Sequence, residues 1–225
     1  MISSSPQVTD VGGAPRPSAV LIDFGGVLTV PLRQAFGALG EDLGVDADEA
    51  LRVLATHEGA RSALGEHEVG RLDDEGFEDA FAAALSEVGG RRVEPRGLLP
   101  RLGAHMELDE PMVDLVRELR TAGVPVALVS NSLGRDSYAR IDLDELFDIA
   151  VISGQVGIRK PSRRIYALAC EGLGVEPEHC VLVDDLEHNL VGAARLGIEG
   201  ILHRSAGETI ARVRERLALP ASATP

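Results

Sequence analysis

The chain has 225 residues, 44% of them hydrophobic, and a formal net charge of −14. That length holds one sizeable domain, or one with a modest insertion, and that apolar content predicts a packed core rather than disorder. The negative field repels phosphate backbones and anionic membranes, no apolar run approaches a membrane span, and any anionic substrate needs a local positive site.

Residues 1–18, MISSSPQVTDVGGAPRPS, combine Ser, Pro and Gly without periodicity and are expected to form a disordered tail. No charged segment is followed there by an apolar one, so no secretory signal is expected, and a cytoplasmic location fits. The first buried strand is expected at Ala19–Asp23, followed by two glycines, Gly25 and Gly26. More than a hundred residues then separate Asp23 from the end of the next strand at Ser130, far more than one crossover needs. Within that stretch Leu32, Phe36, Leu39 and Leu43 share a helical face, as do Leu51, Leu54 and Ala55, and then Phe77, Phe81, Ala84 and Leu85. No strand pattern lies between them, so residues 32–106 are read as a helical insertion.

Further strands are expected at Val124–Ser130, Ile149–Ser153, Cys180–Asp184 and Gly200–His203. They are short, rich in Val, Ile and Leu, and mostly not alternating, which implies a parallel sheet covered on both faces. Helical patterns separate them. One follows Asp109 and Pro111 and stops at Gly123; one follows Pro161 and fades at Gly172 and Gly174; one spans about 188–196; the last spans 208–217. Alternation at this length predicts an α/β core with a doubly wound, Rossmann-like parallel sheet formed by residues 19–31 and 107–225. The cysteines, Cys170 and Cys180, read as buried reduced thiols.

The expected strand ends carry polar groups. Strand one ends on Asp23, strand two on Ser130 and Asn131, and strand four on Asp184 and Asp185, while Lys160 follows strand three. Lys160 is the single lysine in a chain whose other basic residues are all arginine. Each group has an ordinary reading. Asp23 could bond turn amides, Ser130, Asn131, Asp184 and Asp185 could cap helices, and Lys160 could be a solvated charge. All of them falling at the ligand-binding edge of one open sheet is harder to explain that way. Clustered acids are costly without a cation among them, and oxygen-only donors suggest Mg²⁺.

These residues resemble the haloacid dehalogenase superfamily, most of whose members are metal-dependent phosphatases. DFGGVLT, VSNS, GIRKPSRRIY and VLVDDLEHNLVGAARLGI are similar to its four motifs, in order, and the helical insertion sits where its cap does. Within it the wording is similar to the subfamily IA-like branch holding the soluble epoxide hydrolase phosphatase domain and glucose-1-phosphatase-like proteins. The resemblance implies that Asp23 attacks phosphorus and forms an aspartyl-phosphate. It implies Mg²⁺ held by Asp23, the Gly25 carbonyl and Asp185, with Asp184 beside it. Ser130 and the Asn131 amide would bind a phosphoryl oxygen at a helix N-terminus, with Gly26 in the same phosphate-binding set. Lys160 would offset the repulsion between Asp23 and the phosphate, and Asn189 would bond the nearby acids or cap a helix. The implied substrate is a small phosphorylated metabolite, a sugar phosphate before others, with no nucleic acid or membrane partner.

One position departs from that pattern. Most phosphatases of the superfamily carry a second aspartate two residues after the nucleophile, and this chain has Gly25 there. Loss of a general acid typically costs ~10²–10⁴-fold. A substrate with a good leaving group, a proton donor from the insertion (His57, His67 or an acid), or a catalytically weak protein that binds phosphate or regulates a partner are the alternatives. A dehalogenase would not need the acids of VDD, a phosphonatase would need a lysine within residues 32–106, and a receiver domain would lack the insertion.

Overall fold

The computed structural model describes residues 16–134 and 136–219. Most of the expected tail, residues 1–15, lies outside the described residues. Ser18 is already tied to the sheet, its N–H donating to the His179 carbonyl at 2.7 Å.

The first strand, β1 (Ala19–Ile22), is buried along its whole length. Five helices follow: α1 (Leu32–Leu43), α2 (Glu49–Thr56), α3 (Glu58–Glu68), α4 (Asp74–Gly89) and α5 (Leu98–His105). Then come α6 (Glu110–Thr121), β2 (Val126–Ser130), α7 (Leu143–Leu146), β3 (Ile149–Ile152), α8 (Ser153–Val156) and α9 (Arg163–Leu173). The chain closes with β4 (Cys180–Asp184), α10 (Glu187–Ala194), β5 (Glu199–Leu202) and α11 (Ala206–Leu217). The five strands form one sheet in the order β3-β2-β1-β4-β5, every neighbour parallel. Strand bounds lie within two residues of those expected.

Period two divides the core. Val20 and Ile22 of β1 join one apolar cluster with α6 and α11, while Ala19 and Leu21 join a second with Ile165, Tyr166 and Ala169 of α9. The first cluster continues without a break into Phe36, Leu54, Phe77 and Phe81 of the helices between β1 and β2. Entry to and exit from those helices are tied together: Thr29 and Leu108 form an antiparallel bridge, and the Asp109 N–H donates to the Leu28 carbonyl at 2.9 Å.

The local signals act as expected at α6 and α9. Asp109 accepts from the Met112 N–H at 3.2 Å, and Gly123 and Gly174 turn the chain away with φ of 74° and 68°. Helices α3 and α5 escaped the apolar pattern. Only Ala60, Ala63 and His67 are buried in α3, so small residues supply its inner face. In α5, Pro100 and Gly103 disguise a helix whose buried face is Leu98, Leu99 and Leu102. Cys170 and Cys180 are free and buried, with sulfurs 3.7 Å apart. Among the described residues, no helix is long and apolar enough to cross a membrane.

Candidate active site

In the strand order β3-β2-β1-β4-β5, successive connections depart to opposite sides of β1, and the carboxyl ends of β1, β2 and β4 border one crevice. Ile22 is level with Val183 of β4 and Leu128 of β2. The next residues out, Asp23 and Asp184, therefore stand side by side above the sheet.

The single lysine lies between them. Lys160 is 3% exposed, with its Nζ 2.6 Å from Asp23 Oδ1 and 2.8 Å from Asp184 Oδ2. It is not a solvated charge. Asn131 holds its backbone: the Lys160 N–H donates to Asn131 Oδ1 at 2.8 Å, and Asn131 Nδ2 donates back to the Lys160 carbonyl at 3.4 Å. Asp23 Oδ1 also accepts from the Phe24 N–H at 2.7 Å. Asp184 is fully buried and satisfied, accepting from the Leu186 N–H at 2.9 Å and from Asn189 Nδ2 at 2.9 and 3.1 Å. Asn189 thus bonds the acid rather than capping a helix.

Asp185 differs from Asp184. Its Oδ1 is buried and has no hydrogen-bond partner. Its other oxygen, Oδ2, lies 2.6 Å from where a Cβ on Gly26 would stand, and Gly26 has φ of 77°. Only glycine meets both demands. The Gly26 N–H donates to Thr29 Oγ1 at 3.1 Å, so this amide is spoken for within the turn.

Asp23, Asp184 and Asp185 bring carboxylate oxygens within 4.8 Å of one another. Burial pushes the Asp23 carboxyl up to about 7, against the pull of Lys160 and helped by the charges of Asp184 and Asp185. Burial and Asp184 push Asp185 up to about 6. Burial alone would lower the Lys160 pKa, but Asp23 and Asp184 outweigh it and raise it. Three carboxylates facing one ammonium, with one oxygen orphaned, are an oxygen-only donor set short of positive charge. Such a set suits a hard divalent cation.

Ser130 is 2% exposed, and its Oγ accepts from Tyr138 Oη at 2.9 Å. The segment after Asn131 departs from expectation. Residues 131–134 are not helical and 136–140 form turns, so among the described residues no helix begins directly after Ser130 and Asn131. Asp184 and Asp185 are not helix caps either, since Leu186 occupies that place in α10.

A cavity of about 400 Å³ opens over this edge, bordered by Asp23, Gly25, Ser130, Asn131, Lys160 and Asp185. Gly26 and Asp184 are not among the residues that border it. Neither insertion histidine borders it. The His57 Nδ1 accepts from the Ala60 N–H at the start of α3. His67 is buried and stacked on Phe77 at 4.8 Å. Two bordering residues carried no signal in the sequence. Tyr138 sits in a turn, and its ring packs 4.8 Å from Phe24. Glu68, at the end of α3, is ion-paired with Arg159, and burial raises its pKa against that pull. Arg159 directly precedes Lys160 within the third motif, a hint that only its partner's position makes readable.

The family model for haloacid dehalogenase-like hydrolases matches residues 17–197. Phosphoserine phosphatase of Thermus thermophilus is 33% identical over 125 residues, 53% of this chain and 50% of that protein. Validoxylamine A 7'-phosphate phosphatase of Streptomyces hygroscopicus subsp. limoneus is 26% identical over 171 residues, 74% of each. In a longer relative the matched segment is 13% of the length. Among solved structures, a haloacid dehalogenase family enzyme of Bacteroides thetaiotaomicron in complex with magnesium and inorganic phosphate superposes with a TM-score of 0.58 at 20% identity, covering 84% of this chain and 94% of that one. With more than half of its length matched by the family model, and with this sheet beneath it, the chain belongs to the haloacid dehalogenase-like hydrolases.

Proposed function

We propose that the chain is a Mg²⁺-dependent phosphatase of a small phosphorylated metabolite, working through an aspartyl-phosphate on Asp23. The observation that carries this reading is the buried Asp23–Lys160–Asp184 array with the orphaned Asp185 oxygen beside it. Phosphatases among the curated relatives support it, and so does magnesium with phosphate in a structural neighbour. Asp23, Asp185 and the Gly25 carbonyl would hold the Mg²⁺, and the ion would supply positive charge to offset that of the phosphoryl group. Asp184, saturated by Lys160, Asn189 and the Leu186 amide, positions the lysine instead.

Asp23 attacks phosphorus, the bond to the departing oxygen breaks, and water later cleaves the aspartyl-phosphate. Lys160 faces both the nucleophile and the incoming anion, reducing their repulsion. Ser130 Oγ, oriented by Tyr138, donates to a phosphoryl oxygen. The helices of residues 32–106 act as the cap that shields this chemistry from water.

Phosphate release from 4-nitrophenyl phosphate and acetyl phosphate, with Mg²⁺ against EDTA, tests the reading; equal rates with and without EDTA would sink it. Thermal unfolding supplies a second readout. Without metal, the raised carboxyls of Asp23 and Asp185 keep protons in the folded state that the unfolded chain has released. Stability from these groups is therefore greatest below about pH 4 and is lost as pH rises through about 6 and 7. Mg²⁺ favours the ionised forms, so its stabilising shift in Tm is expected to be large at pH 8 and small at pH 5. A shift independent of pH counts against these ligands.

Gly25 sets the second expectation. The atoms nearest to a Cβ there belong to the flexible Leu32 side chain, the closest at 3.2 Å, so an acid can be placed. Gly25→Asp is expected to speed hydrolysis of alkyl phosphates by about 10²-fold relative to acetyl phosphate, because only the poor leaving group needs the proton. Equal effects on both substrates would mean that another residue already donates it.

A further inference from the structure

The cavity over the site has two chemically different ends. At the sheet edge it meets Asp23, Ser130, Asn131, Lys160 and Asp185. Opposite, it is closed by Leu32 and Phe36 of α1, Leu51 and Leu54 of α2 and Leu64 of α3. Leu32, Leu51 and Leu64 pack on the apolar core yet keep part of their surface exposed. Among the described residues, Glu68 is the one polar side chain that helices α1–α5 bring to this cavity. Glu68 is ion-paired with the Arg159 guanidinium through one carboxylate oxygen, so it is a single acceptor against a wall that is otherwise apolar.

A polyol phosphate seated at Asp23 turns its hydroxyls toward leucines. A hydroxyl buried without a partner gives up its water and gains no bond in return. A hydrocarbon body gains from the same wall, because each methylene group leaves water. The volume, about 400 Å³, is near the small end of ligand pockets and admits a phosphoryl group with a short organic body.

Resting on the phosphatase reading above, we propose that the substrate is a phosphomonoester with an apolar hydrocarbon body, which packs against α1–α3 while its phosphoryl group meets Asp23. This reverses the preference for sugar phosphates that the motifs alone suggested. The motifs report on the phosphoryl end, which all such substrates share. The wall of α1–α3 is the part that touches the rest of the molecule.

Hexyl phosphate and glucose 6-phosphate separate the two possibilities. They have the same number of carbons, and both are esters of a primary alcohol, so they differ mainly in hydroxyl groups. Each is titrated as a competitor of 4-nitrophenyl phosphate hydrolysis by the Mg²⁺-loaded protein. Hexyl phosphate is expected to inhibit at roughly tenfold lower concentration or better. Leu51→Asn is expected to erase most of that advantage while leaving inhibition by inorganic phosphate unchanged. Ala55→Asn, at an exposed position bordering the same cavity, serves if the first variant does not fold. Glucose 6-phosphate inhibiting as well as hexyl phosphate overturns the inference, and so does an advantage that both variants retain. If no 4-nitrophenol is released, the phosphatase reading fails on its own. Calorimetric binding of the same two compounds to the Mg²⁺-loaded protein then decides whether the apolar preference stands: a tenfold preference for hexyl phosphate supports it, and equal affinities overturn it.

Discussion

Asp23→Asn is expected to lower phosphate release by on the order of 10³–10⁶-fold while leaving the protein folded and, without metal at pH 8, more stable than the parent. The two effects have one cause. Asp23 is 6% exposed, and its carboxyl is pushed up to about 7, so its ionised form is disfavoured in the folded chain. An amide of nearly the same shape removes that penalty and the repulsion from Asp184 and Asp185. Lys160 keeps Asp184 at 2.8 Å, so the ammonium is not abandoned. The nucleophilic oxygen is lost, and an amide cannot form the acyl phosphate in its place. For a domain of this size, each kcal/mol appears as ~2–4 °C in Tm. The comparison is therefore a Tm series in EDTA at pH 5 and pH 8 beside the activity assay. The gain should appear at pH 8 and fade at pH 5, where the parent carboxyl is already protonated. A variant that is inactive because it has unfolded would leave the nucleophile assignment unsupported, and retained turnover would refute it.

Lys160→Met is expected to cost about 3–5 kcal/mol of stability at pH 8, the usual penalty for breaking a buried ion pair from one side. Methionine matches the lysine stem as far as Cε and lacks only the terminal ammonium, so packing of the stem is largely kept and charge is what changes. Asp23 and Asp184 then face one another without a counter-ion, and both are buried. The Asp23 carboxyl, already raised, is then pushed further up in the folded state, because the charge of Asp184 acts on it without the ammonium to offset it. Stability of the variant should therefore fall more steeply than that of the parent as pH rises from 5 to 8, and Mg²⁺ should restore part of it. Lys160→Arg is expected to fail as a replacement. Oxygens 2.6 and 2.8 Å from Nζ, one on each side, leave no room for a planar fork. Urea unfolding at the two pH values measures this. A midpoint for Lys160→Met that matches the parent at pH 8 would mean that the acids are not ionised together and that Lys160 does not hold two carboxylates.

The grouping of these charged residues was largely legible in the linear order of the chain. Short unalternating runs of Val, Ile and Leu can be covered on both faces only in a parallel sheet, and such a sheet brings its carboxyl ends to one edge. That rule brings Asp23, Ser130 and Asp184 to one edge, while Lys160 reaches it only through the segment that follows β3 and α8. The helical insertion was legible where large residues recur at helical spacing, as in α1 and α4. It was not legible in α3, whose buried face is Ala60 and Ala63, nor in α5, where Pro100 sits in the first turn. Small side chains carry little hydrophobic contrast, so their periodicity is faint.

What the sequence by itself determined was the sheet, the edge and the set of charges gathered there. Those follow from local periodicity and chain order, which are properties of neighbouring residues. Only the tertiary structure decided that Asp184 is saturated while Asp185 keeps an orphaned oxygen, although the two are adjacent in the chain. It also decided that Tyr138 reaches Ser130, that Glu68 meets Arg159, and that leucines from α1, α2 and α3 close the cavity. Each of these is a contact between segments whose separation in sequence holds no record of their separation in space. Their distances are set by how the whole core packs, and the apolar character of the cavity appears only once those helices are docked over the sheet edge.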